Sequence, residues 1–225
     1  MDKLPNNVPR GILFDLDGTL LDTAPDLAAA LNYARQKYGL NKLALEDIRP
    51  LVSHGSHALT ALGCPSPKHS ERAEEFRQAL LDYYAQNIAV GTRLFDGMDV
   101  VLQTLEVQLI PWGIVTNKPE YLTGPLLDRM NLSERCAVVI SGDTIEEKKP
   151  HPAPLELAAK RIGVDPHACI YVGDAERDVT AGNAAGMQTL VATYGNISAD
   201  EEPTQWGADG VIGEPIEVAR WFPTR

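Results

Sequence analysis

From residue 98 onward, short apolar runs alternate with stretches of helical spacing, and few folds can accommodate that alternation. The runs at 111–116, 137–141, 168–173 and 188–192, with a shorter one at 210–212, are too brief for helices. They are also too continuously apolar for strands with one wet face, so they read as strands covered on both faces. Between them, residues 98–106, 120–130, 152–162 and 177–185 carry apolar side chains at helical intervals. Strands separated by whole helices are joined by crossovers rather than hairpins and therefore run parallel. One further strand of this type, 11–15, opens the chain. The expected fold is α/β, a doubly wound parallel sheet with helices on both faces.

Residues 22–95 break the alternation. Helical spacing covers 25–38 (Leu27, Ala30, Leu31, Ala34, Tyr38), where Gly39 supplies a stop. Further helices are expected at 45–51, 57–62 and 70–88, the last with Phe76, Leu80, Leu81, Tyr84 and Ile88 on one side. No strand is expected between residues 22 and 94. The chain thus divides into 1–21, holding the first strand and its loop, an inserted helical cap over 22–95, and the rest of the α/β unit over 96–225. The joints fall at 20–25 and 92–97. Ligands of parallel α/β sheets bind beyond the carboxyl ends of the strands, so an insert following the first strand lies over that edge.

A net charge of −11 argues against a general nucleic-acid binder, which needs Lys and Arg against phosphates. No apolar run is long enough to cross a membrane, and residues 1–10 lack an apolar signal core. The three cysteines show no metal-site spacing; Cys136 and Cys169 lie in apolar contexts typical of buried reduced thiols. Together these features lead to the expectation of a cytoplasmic protein, monomer or homodimer, acting on a small molecule.

Four segments carry candidate chemistry. The first strand runs into Asp15-Leu16-Asp17-Gly18-Thr19, placing two carboxylates where an ordinary core would not tolerate them. The second expected strand ends at Thr116-Asn117, Lys148-Lys149 precede a helix, and the strand at 168–173 runs into Asp174 and Asp178. Each has an ordinary alternative. Acids and glycine favour turns, a Thr after a strand caps helices, and paired lysines are usually solvated. Asp178 in a first helical turn also complements the helix dipole. The combination says more, because Asp15, Thr116 and Asp174 each end a buried strand and would converge at one edge with Lys149.

In these four segments the chain resembles the haloacid dehalogenase superfamily, over essentially residues 11–212. The resemblance implies a core strand order of 5-4-1-2-3 and a Mg²⁺-dependent phosphomonoester hydrolase that forms an aspartyl-phosphate on Asp15. It implies Mg²⁺ held by Asp15, Asp174 and the backbone carbonyl of Asp17. Lys149 would hold the nucleophile and a phosphoryl oxygen, and Thr116 and the Asn117 N–H would donate to the phosphoryl group. Asp17 would protonate the leaving alkoxide and then deprotonate the attacking water, while Asp178 would order Lys149 or a metal-bound water.

Asp17 argues against dehalogenation, which releases no alkoxide, and no insert lysine sits in an apolar setting suited to an imine. A sugar phosphomutase and a non-catalytic phospho-acceptor stay open as alternatives. The stretch Ile48-Arg49-Pro50-Leu51-Val52-Ser53-His54-Gly55 resembles the cap loop of phosphoglycolate phosphatases, with Ser53 where glycine is usual. Arg49 would pair with a substrate carboxylate or organise the cap. Ser53, His54 and Gly55 are candidate substrate contacts, with His57 beside them. Ser53-His54-Gly55, residues 94–98, 112–119 and 206–209 further resemble a branch acting on N-acetylmuramic acid 6-phosphate. Phosphoglycolate and N-acetylmuramic acid 6-phosphate are therefore both expected substrates, each bearing a carboxylate and a phosphate.

Overall fold

The computed structural model describes residues 9–222 apart from 67 and 69; the termini of the 1–21 and 96–225 segments lie outside the described residues. Six parallel strands form one sheet in the order β5-β4-β1-β6-β7-β8. These are β1 (Gly11–Phe14), β4 (Trp112–Val115), β5 (Val138–Ile140), β6 (Cys169–Gly173), β7 (Gln188–Ala192) and β8 (Gly210–Ile212). Counting core strands alone, the expected 5-4-1-2-3 order is present, with β8 added beside β7. Central β1 is apolar on both faces because helices cover both. Ile12 and Phe14 pack toward one face with Trp112 and Ile114, and Leu13 toward the other with Val115 and Tyr171. Each such fully buried side chain contributes about 1.5–3 kcal/mol.

The crossovers are α5 (Met98–Val107), α6 (Glu120–Arg129), α7 (Ala153–Ile162) and α8 (Glu176–Ala184). Gly163, in the left-handed region at φ 70°, ends α7. The expected helices and core strands appear within a residue or two of their positions, except that 45–51 is α-helical only as far as Ile48 and turns 3-10 from Arg49 to Leu51.

Between β1 and α5 lie α1 (Ala24–Lys37), α2 (Leu45–Ile48), a 3-10 turn at Arg49–Leu51, α3 (Gly55–Gly63) and α4 (Glu71–Gln86). Helix α4 starts where Ser70 Oγ accepts from Ala73 N at 3.2 Å. Its buried Ala73, Phe76, Leu80 and Tyr84 recur at helical spacing. Tyr33 of α1 stacks on Tyr83 of α4 at 4.3 Å between ring centroids.

Two points differ from the sequence expectation. A strand does lie inside 22–94: β2 (Leu21–Asp22) and β3 (Arg93–Leu94) form an antiparallel ribbon, Leu21 opposite Leu94. Two-residue strands carry no periodicity, and pairing across the whole insert creates them. Cys136 is half-buried rather than buried, since it follows α6 at the sheet margin, whereas Cys169 is buried within β6.

The ribbon is locked by Asp26, which is only 6% exposed. Its carboxylate accepts from Gly91 N at 2.7 Å, Thr92 N at 3.0 Å and Thr92 Oγ1 at 2.7 Å. Both ends of the insert are thereby tied at the place where it leaves the sheet. Asp26→Ala leaves these donors without an acceptor, and urea denaturation is expected to show a loss of about 3 kcal/mol. A loss under 1 kcal/mol would mean that the joint does not depend on this carboxylate.

Candidate active site

Strand register delivers the key residues to one edge. Phe14 is level with Ile114 on one side and Val172 on the other, so Asp15 follows directly and Thr116 and Asp174 flank it slightly further along. The loop beyond Asp15 turns at Gly18, whose φ is 86°. A Cβ there would also overlap Asp174 Oδ2 and Asn196 Nδ2, so both conformation and space require glycine.

Lys149 is the centre of charge. Its Nζ lies 2.8 Å from Asp15 Oδ1 and 2.8 Å from Asp178 Oδ1, with its side chain only 1% exposed. It also donates to Val115 O at 2.9 Å and Tyr171 Oη at 2.7 Å. Burial alone would lower the Lys149 pKa, but the carboxylates of Asp15 and Asp178 outweigh it and raise it. Asn117 positions this lysine from the next loop: Nδ2 donates to Lys149 O at 2.9 Å and Oδ1 accepts from Lys149 N at 3.1 Å. Thr116 Oγ1 accepts from Lys118 N at 3.1 Å, leaving its proton available to the cavity.

Carboxylate oxygens of Asp15, Asp174 and Asp178 lie within 4.8 Å of one another, all buried. Burial raises the Asp15 pKa, with Lys149 opposing and Asp178 adding to it. Burial likewise pushes Asp174 up to about 7, with Asp15 and Asp178 adding to it. This cluster holds more negative charge than one ammonium balances, and its donors are hard oxygens. Both properties fit a divalent cation such as Mg²⁺. Asp178 Oδ2 also accepts from Ala175 N at 3.0 Å, so it caps α8 while pairing with Lys149.

The insert reaches into this edge through the loop before α3. Ser53 Oγ lies 2.7 Å from Asp174 Oδ2 and 3.1 Å from the Asp17 carbonyl. Arg177 donates to Ser53 O. Arg49 does not line the cavity. Its guanidinium holds buried Asp22 at 2.8 and 3.2 Å and reaches Asn196 Oδ1 at 3.4 Å. Ser53, His54, Gly55 and His57 line a cavity of about 530 Å³ together with Asp15, Asp17, Thr116, Asn117 and Lys149.

Sequence reasoning missed four residues here. Lys118 pairs with Asp17 at 2.9 Å, and Tyr171 bridges Lys149 to Val115 O. Tyr84 brings an aromatic ring to the cavity, and Asn196 N donates to Asp174 Oδ2 at 2.9 Å. Lys118, directly after Thr116-Asn117, carried the best available signal: a cation next to two candidate phosphoryl ligands. Tyr84 read as core, and Asn196 sits in a loop without pattern.

A parallel sheet with a carboxylate cluster and a buried lysine at its carboxyl edge, covered by a helical insert, defines an enzyme of the α/β class. The chain belongs to the haloacid dehalogenase-like hydrolase family, whose model matches residues 12–192. It is 45% identical over 215 residues to a phosphoglycolate phosphatase of Xanthomonas campestris pv. campestris, covering 96% of each chain. It is 37% identical over 209 residues to an N-acetylmuramic acid 6-phosphate phosphatase of Pseudomonas aeruginosa, covering 93% of this chain and 92% of that one. A crystal structure of a predicted phosphoglycolate phosphatase from Haemophilus somnus superimposes with a TM-score of 0.85 at 26% identity, over 96% of this chain and 99% of the other. No helix among the described residues is long and apolar enough to cross a membrane.

Asp174 also makes stability depend on pH. An aspartate titrating at about 7 when folded and about 3.9 when unfolded binds more protons in the folded state between those values. The metal-free protein should therefore lose stability as pH rises from about 4 to about 7. Denaturation in EDTA is expected to show this decline in wild type and a shallower one in Asp174→Asn. A divalent cation at pH 7 should stabilise wild type but not the variant. Parallel pH profiles for the two proteins would contradict the assignment.

Proposed function

We propose that the chain is a Mg²⁺-dependent phosphomonoester hydrolase that forms an aspartyl-phosphate on Asp15, with residues 22–95 acting as its cap. The observation that carries this reading is the convergence of Asp15, Lys149, Asp174 and Asp178 at one sheet edge, with Asp17 beside them on the cavity. An isolated carboxylate cluster would be costly, and a phosphoryl-transfer site gives it work.

Asp15 attacks phosphorus, and the bond to the leaving oxygen breaks as Asp17 protonates that oxygen. Asp17 then removes a proton from water, which attacks the acyl phosphate, releases inorganic phosphate and restores Asp15. Lys149, with one bond to Asp15 Oδ1, holds the nucleophile and a phosphoryl oxygen. Thr116 Oγ1 and the Asn117 N–H hold the transferring group, so most of the catalysis is positioning and electrostatics. Mg²⁺ bound by Asp15, Asp174 and the Asp17 carbonyl would neutralise charge on the phosphoryl oxygens. Asp178 orders Lys149.

The substrate is a carboxylate-bearing phosphate ester, the chemistry shared by the compounds named for the two relatives. The cavity favours the larger of them. A space of about 530 Å³ suits a ligand of sugar size, whereas a two-carbon acid would leave most of it to water. Ser53, His54 and Gly55 are positioned to meet the non-phosphate part, while Arg49 acts through the shape of their loop.

Phosphate release should be measured from phosphoglycolate, N-acetylmuramic acid 6-phosphate and common hexose and pentose phosphates, with Mg²⁺ and with EDTA. Release that requires Mg²⁺ and vanishes in Asp15→Asn is expected, with the muramic ester preferred. Undiminished activity in Asp15→Asn would overturn the mechanism, and preference for phosphoglycolate would overturn the substrate choice.

A further inference from the structure

The Lys118 ammonium is enclosed by groups from separate parts of the chain. Nζ lies 2.9 Å and 3.1 Å from the two carboxylate oxygens of Asp17. On its other side it sits over the Tyr84 ring, 4.6 Å from the centroid. The lysine side chain is 7% exposed and Tyr84 is fully buried. Thr23, at the start of the insert, donates to Asp17 Oδ1 at 2.6 Å. Oδ1 thus has two donors, which leaves Oδ2 as the oxygen that can also meet a ligand.

This arrangement is not needed to hold the sheet together. Lys118 lies in the loop between β4 and α6, its backbone is anchored by Thr116, and its charged end faces the cavity. Burying an ammonium is costly unless a carboxylate compensates it, and an aromatic face adds further attraction. Asp17 supplies the first and Tyr84 the second. Tyr84 belongs to α4, so the second exists only while the insert lies over the sheet.

We propose that Lys118 is a positioning residue that fixes the direction of the Asp17 carboxyl, and that Tyr84 makes this positioning conditional on closure of the insert. The inference rests on the reading of Asp17 as the acid and base of the reaction. With the insert withdrawn, Lys118 loses the ring, hydrates, and releases Asp17 to rotate. With the insert closed, Oδ2 is held toward the leaving oxygen. The acid would then be assembled only when the site is covered, which protects the acyl phosphate from water arriving out of turn. Tyr84 Oη has no hydrogen-bond partner among the described residues, so the ring rather than the hydroxyl carries this role.

Leaving-group dependence separates positioning from simple structural support. An alkyl phosphate needs its leaving oxygen protonated, whereas p-nitrophenyl phosphate releases an anion that needs no acid. In the Mg²⁺-loaded enzyme, Lys118→Met is expected to lower kcat on the alkyl ester roughly a hundredfold, and on p-nitrophenyl phosphate less than about tenfold. Lys118→Arg should recover part of the difference. Tyr84→Leu should reproduce the bias in weaker form, and Tyr84→Phe should keep the wild-type ratio between the two esters. Lys118→Gln serves the same comparison if the methionine variant does not fold.

Equal losses on both esters in the Lys118 variants would overturn the proposal, as would an unaltered ratio in Tyr84→Leu. Asp17→Asn is the control that keeps the two readings apart. If it shows no leaving-group bias, the acid–base assignment of Asp17 fails. If it shows the bias and the Lys118 variants do not, only the present inference fails.

Discussion

A single buried ammonium holds the functional edge together. Lys149 is almost wholly removed from water and sits within 2.8 Å of both Asp15 and Asp178. Removing three carboxylates from water in so small a volume is unfavourable by several kcal/mol per uncompensated ion. Lys149 offsets part of that, and its third N–H is shared between the Val115 carbonyl and the Tyr171 hydroxyl. The surplus negative charge makes the edge receptive to a divalent cation and an anionic ester together. The elements around it serve this pairing: β4 supplies the carbonyl, β6 the hydroxyl, α8 carries Asp178, and Asn117 holds the lysine backbone.

Beside the apolar cluster that the insert shares with the sheet unit, polar contacts join the helical insert to this edge. Ser53 meets Asp174 and the Asp17 carbonyl, Arg49 holds Asp22, and Lys118 lies between Asp17 and the Tyr84 ring. Such contacts depend on distance and hydration and are remade more readily than an interdigitated core. The joints behave differently, because Asp26 anchors the ribbon with three buried hydrogen bonds. An insert fixed at its base and held by polar contacts at its tip suits an enzyme that must admit an ester and then exclude water.

Much of the architecture was legible without coordinates. Strand 11–15 and its four successors read as strands because each is a short apolar run with no polar face, and the crossover helices read from their spacing. The β2–β3 ribbon was not legible, since two residues cannot display a period and their partners lie on either side of the insert. At the site, Asp15, Thr116, Lys149 and Asp174 were legible from their places at strand and loop ends. Lys118 lay beside Thr116 and Asn117 but gave no sign of its partner, and Tyr84 was indistinguishable from the core residues of its helix face. Arg49 was open to two roles; its guanidinium meets Asp22, and it is not among the residues that line the cavity.

The sequence by itself determined the sheet, the placement of the insert, and which residues end the buried strands. Those properties follow from local periodicity and from the parallel pairing that crossovers impose. Only the tertiary structure decided which charge meets which. Lys118 lies 101 residues from Asp17, and Ser53 lies 121 from Asp174. Long polar side chains have many rotamers and several eligible partners, and no pattern along the chain records the choice. Packing of the insert against the sheet edge brings these partners together, and each buried charge of the site then meets an opposite charge or a donor.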